Sequence, residues 1–172
     1  MKRITLFAIL LYCTNIMAQE VSVMGVKVEQ DFYSFSKAIT PKLHDIRRNE
    51  PFCIEGYCTF AGYHNCSFKA FAFSDYCRGT VQEVSVGIAP GHDELDKTLQ
   101  LVLKSIQSRY NVNYKVMNKS EKLPTEGHST WFGDTTYVFQ KGNITITAHI
   151  HAWMVWVAYY VGCHHEFNPS DF

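Results

Sequence analysis

Phe52–Ile88 limits the fold of this chain more than any other stretch. Ile54, Gly56, Cys58 and Phe60 alternate with Glu55, Tyr57 and Thr59. Cys66, Phe68, Ala70 and Ala72 alternate with Ser67, Lys69, Phe71 and Phe73. Alternation with period two specifies strands that bury one face. Ala61-Gly62-Tyr63-His64 supplies turn chemistry between the two runs. A hairpin folded about Gly62 sets Cys58 opposite Cys66 and Glu55 opposite Lys69. An opposite-charge cross-strand pair favours that register by roughly 0.2–1 kcal/mol. A second turn, Ser74–Gly79, returns the chain so that Val84, Val86 and Ile88 join the same apolar face. A slip of one residue would move the whole set into water, so burial fixes the register.

The two ends of the chain read differently. Lys2-Arg3 precedes the apolar run Ile4–Tyr12, which is too short to span a bilayer, and Ile16-Met17-Ala18 fits a cleavage site. Residues 1–18 read as a signal peptide, placing the mature chain in the periplasm or outside the cell. Tyr12 before Cys13 argues against lipid attachment. Residues 19–172 suffice for one domain with a real core. No later stretch predicts a membrane span. Lys and Arg together number 16, as do Asp and Glu, which disfavours a nucleic-acid or acidic-lipid partner. At 15% aromatic residues, some rings must reach the surface.

Export permits disulfides. Cys53, Cys58, Cys66, Cys77 and Cys163 remain after cleavage, an odd number, so one thiol is left over. Hairpin register favours a Cys58–Cys66 disulfide, and two reduced, buried cysteines are the alternative. Cys53–Cys77 has only proximity along the sheet behind it. Cys163 is left unpaired or joins two chains as a dimer. The spacings fit no zinc ribbon or finger.

Elsewhere, Gln19–Glu29, with Val21, Val23, Val26 and Val28, reads as a lead-in or short edge strand. Asp31 caps a helix carrying Phe32, Phe35 and Ile39, which Pro41 ends near Thr40. Leu43–Arg48 fits either a continued, kinked helix or a strand. Asp93-Glu94 opens a second helix with a stripe of Leu95, Leu99, Val102, Leu103, Ile106 and Tyr110. A short strand, Tyr114–Met117, and a polar loop, Asn118–Thr130, come next. Thr135–Phe139, Asn143–Ile150 and Trp153–Val161 read as strands. The expected class is α+β: one antiparallel sheet from two helix-plus-three-or-four-strand units, about 19–90 and 91–163, with both helices on one face and a frayed tail at 164–172.

Val23-Met24-Gly25-Val26-Lys27-Val28 and Thr59-Phe60-Ala61-Gly62-Tyr63-His64-Asn65-Cys66 resemble recurring segments of a family of small exported proteins of unknown function from gut Gram-negative anaerobes. The resemblance covers most of the mature chain and implies export and a two-unit fold. It carries over no catalytic residue. The layout is also similar to β-lactamase-inhibitor-type proteins, an analogy of fold alone.

Candidate chemistry is sparse. His149 and His151 share one strand face, as half of a metal site would. His164 and His165 lie too far along the chain to complete it without the tail folding back. Cys163-His164 lacks a third group to orient a base, and adjacent residues on an extended chain point apart. No motif for catalysis, phosphate binding or a cofactor occurs. The non-core sheet face carries Tyr57, Phe71, Phe73, His149, His151, Trp156 and Tyr160 among hydroxyls. Aromatics with few charges predict a partner-binding surface. The expectation is a non-enzymatic binding protein of inhibitor, immunity or envelope type. The alternative is a metal- or small-ligand-binding protein using His149 and His151.

Overall fold

The computed structural model describes residues 20–72, 79–118 and 135–162. The signal-peptide reading, Phe73, Cys77, Cys163, His164, His165 and the tail lie outside the described residues. Strands β1 (Ser22–Val23) and β2 (Val26–Lys27) form a two-stranded ribbon. Helix α1 (Phe32–Ile39) follows, capped by the Asp31 carboxylate, which accepts from the Ser34 N–H at 2.8 Å. A 3-10 turn at Thr40–Lys42 contains Pro41 and hands the chain to β3 (Leu43–Glu50).

Strands β4 (Cys53–Phe60), β5 (Tyr63–Phe71) and β6 (Glu83–Ile88) continue the meander. Helix α2 (Leu95–Tyr110) buries Leu99, Val102, Leu103, Ile106 and Tyr110 and ends at Asn111 in the left-handed region. Strands β7 (Tyr114–Asn118), β8 (Thr135–Lys141), β9 (Ile144–His151) and β10 (Met154–Val161) complete the described chain.

The expected α+β class with two helix-plus-strand units is overturned. Strand makes up 54% of the described residues, so the described fold is mostly β. Eight strands form one antiparallel sheet in the order β3-β4-β5-β6-β10-β9-β8-β7. Strands β6 and β10 pair at six successive positions, among them Val84 with Tyr159, Val86 with Val157 and Ile88 with Val155. Hydrogen bonding therefore runs unbroken across the point where two units would have separated. Burial is shared as well. Phe35 and Ile39 of α1, Leu103 of α2, the ribbon valines and the inward residues of β4, β5, β6, β9 and β10 belong to one core cluster.

Leu43–Glu50 resolves as an edge strand. It pairs with β4, and its register shifts between His44 and Arg48 around Asp45, whose φ is +51°. Gly56 makes room for this bulge. A Cβ there would stand 3.3 Å from both the Asp45 carbonyl oxygen and the Ile46 Cα. Residues His44–Glu50 are exposed, so no face of the strand carries an apolar period.

The hairpin has the register its turn implies: Cys58 faces Cys66 and Glu55 faces Lys69. The charged pair closes at 2.9 Å. No disulfide joins the cysteines, however. Cys53, Cys58 and Cys66 are free thiols. The Cys66 Sγ turns toward the hairpin end, donating to the Tyr63 carbonyl at 3.3 Å, and burial pushes the Cys58 thiol up to about 12. Two protonated thiols buried in register are a stable reduced arrangement.

Candidate functional site

Cross-strand partners share a sheet face, so the register maps the face turned away from the core. One row runs Cys53–Phe71–Glu83–Tyr160–Thr145–Gln140. The next runs Glu55–Lys69–Ser85–Ala158–Thr147–Val138. A third runs Tyr57–Ser67–Gly87–Trp156–His149–Thr136–Met117. Tyr57, Phe71, His149, Trp156 and Tyr160 therefore lie on one face, and His151, opposite Met154, shares it. Phe73 is outside the described residues.

Gly87 shapes the centre of this face. A Cβ there would meet the Met154 Cε at 2.7 Å and the Trp156 Cη2 at 2.9 Å. The Trp156 indole thus lies over β6, and only a missing side chain lets it. Beside Gly87, Ser67, Ser85 and Ala158 keep the floor low. Tyr57 stands three strands from Trp156, about 14 Å at the usual strand spacing.

Cations cover two of the rings. The Arg47 guanidinium sits 4.5 Å above Tyr57 and the Lys69 ammonium 4.4 Å above Phe71. The Lys69 hydrogen bond also holds the Glu55 carboxyl below its ordinary range. Burial acts on Glu83 in the opposite direction and raises it.

Exposure divides the face. Tyr57, Phe71, His151 and Trp156 are half-buried, whereas Thr145, Thr147, His149 and Tyr160 are buried, Thr147 completely. The expected partner-binding surface is thus corrected at His149 and Tyr160, which are buried together with the hydroxyls beside them. The Thr136 and Thr147 hydroxyls are shielded from solvent and have no hydrogen-bond partner, which makes this end of the face unsuited to charge. Desolvation, with His151 adding to it, lowers His149 to about 4, leaving a neutral imidazole at ordinary pH. Among the described residues no group of three or more His, Cys, Asp or Glu side chains could hold a metal ion. His149 and His151 therefore supply two possible ligands and no visible third.

A separate groove of about 610 Å³ lies between α1 and the β3–β4 turn, lined by Phe32, Tyr33, Lys37, Pro41, Asn49 and Pro51. It contains none of the candidate residues.

Gly87, Ser85, Glu83 and Met154 were not singled out in the sequence. Gly87 did carry a signal, because a glycine between Val86 and Ile88 inside a strand marks a close approach. Comparisons with family models, curated proteins and solved structures found no match. The roles of the site residues therefore rest on geometry alone.

Proposed function

We propose that this chain is an exported, non-enzymatic binding protein that holds another protein against the outer face of its sheet. An inhibitor, immunity protein or envelope component would work in this way. The observation that carries the reading is the Trp156 indole, half-exposed, with its Cη2 and Cζ3 atoms over Gly87 at the middle of the sheet. Interfaces concentrate their energy in such rigid aromatic anchors, framed by small or polar neighbours. Tyr57 and Phe71, each under a cation, extend the surface toward β4 and β5. Exchange of Arg47 or Lys69 for a partner's group would free a ring face without unfolding the sheet.

The test is capture from the envelope fraction of the native host by immobilised chain. Trp156→Ala should weaken capture of a specific partner by about 2 kcal/mol or more, as loss of a hot spot does. Capture unchanged in both Trp156→Ala and Tyr57→Ala would overturn this use of the face.

A second reading, binding of a metal or small ligand through His149 and His151, draws support from the neutral state of His149. A metal titration followed by histidine ring resonances tests it: unmoved resonances would remove it.

A further inference from the structure

We propose that β7 pairs with β7 of a second copy of this chain, antiparallel and centred on Val116, continuing the sheet from one molecule into the next. Among the described residues the sheet ends in β3 on one side and β7 on the other. An open edge offers a row of backbone donors and acceptors, and folded proteins commonly protect it with charge, bulges or cover. Strand β3 is protected. It carries His44, Asp45, Arg47, Arg48 and Glu50, an Arg48–Glu50 ion pair at 2.7 Å, and a bulge at Asp45.

Strand β7 has neither bulge nor charge cluster. It reads Tyr-Lys-Val-Met-Asn and pairs with β8 over all five residues. Its core-side residues are apolar yet open: Tyr114 is 37% exposed and Val116 47% exposed. Tyr114 already meets Tyr137 and Phe139 edge-on, at ring centroids 5.1 and 5.6 Å apart, so the apolar surface runs out to the rim of the sheet.

The sequence of β7 fits itself in one register. For both copies to keep the same face toward their cores, residues must pair about Lys115, Val116 or Met117. Pairing about Lys115 sets two ammonium groups against each other, which is destabilising. Pairing about Met117 leaves Tyr114 without an opposite residue. Pairing about Val116 uses all five positions: Tyr114 meets Asn118, Lys115 meets Met117 and Val116 meets Val116. The two valines then meet at the centre of the core-side strip, flanked on each side by a Tyr114–Asn118 pair. One five-residue strand per copy covers less than the roughly 1,200 Å² of a stable interface. The dimer is accordingly weak, reversible and dependent on concentration.

Sedimentation velocity of the full mature chain in reducing buffer, where Cys163 cannot link copies, tests the proposal. Weight-average mass should climb from one copy toward two as protein rises from low to high micromolar concentration. Val116→Lys and Val116→Glu should each remain single copies with unchanged melting. An equimolar mixture of the two should recover the dimer, because opposite charges then meet at the dyad. The proposal is overturned if the unaltered chain stays single throughout. It is equally overturned if both variants dimerise like the unaltered chain, or if the mixture fails to recover dimer.

Discussion

His149 shows how one buried side chain sets a pH response. Its imidazole titrates near 4 in the folded chain and near 6.5 when unperturbed. The unfolded chain therefore takes up a proton first as pH falls. Stability is at its full value above about 6.5 and declines as pH drops toward 4, by at most about 3 kcal/mol for this group. His151, on the same face, adds to the depression. Glu83 acts in reverse: burial raises its carboxyl, so its contribution is present at low pH and is lost as pH rises through its folded value. Subtraction isolates the histidine. Urea unfolding of the parent and of His149→Gln between pH 4 and pH 7 should give a shallower acid decline in the variant. Parallel curves would show that His149 is not held neutral. Gly87 has a different kind of consequence at the same scale, since its missing side chain fixes where Trp156 lies.

At the scale of elements, the bulge of β3 rests on Gly56. Gly56→Val would push a branched side chain into the Asp45 carbonyl and the Ile46 backbone. Overpacking of this kind costs about 1–3 kcal/mol. Denaturant melts should show that loss, with amide exchange rising first in β3. Full stability in Gly56→Val would mean that the bulge does not press on β4.

The hairpin around Gly62 was legible in sequence because alternation, turn chemistry and the Glu55–Lys69 pair all specify one register. The α2 stripe was legible for the same local reason. Strand β3 was not, because an edge strand with exposed residues on both faces has no apolar period to read. The β6–β10 junction was not legible either. Val84, Val86 and Ile88 mark an inward face, but nothing local says that Val155, Val157 and Tyr159 will be their neighbours. At the site, the register gave the face of His149 and Trp156. The burial of Thr145, Thr147 and Tyr160 was hidden, since hydroxyls in alternate positions look solvent-facing in a sequence.

For the whole molecule, eight strands act as one wall with two unlike sides. The core side is covered by α1, α2 and the β1–β2 ribbon over its central strands. Tyr110 of α2 donates to the Ser22 carbonyl at 3.0 Å, and the Tyr63 hydroxyl lies 2.9 Å from that of Thr98, tying ribbon, helix and sheet together. The outer side holds Trp156 on its glycine shelf and the cation-covered rings of Tyr57 and Phe71. The central claim is that this side can lose an aromatic ring while the core keeps the fold. Thermal melting of Trp156→Ala beside Phe68→Ala tests it most directly. Phe68 is fully buried on the core side, and its truncation should cost about 3–5 kcal/mol. Trp156→Ala should melt close to the parent chain. If Trp156→Ala melts as early as Phe68→Ala, the indole belongs to a second core and the outer face is not a binding surface.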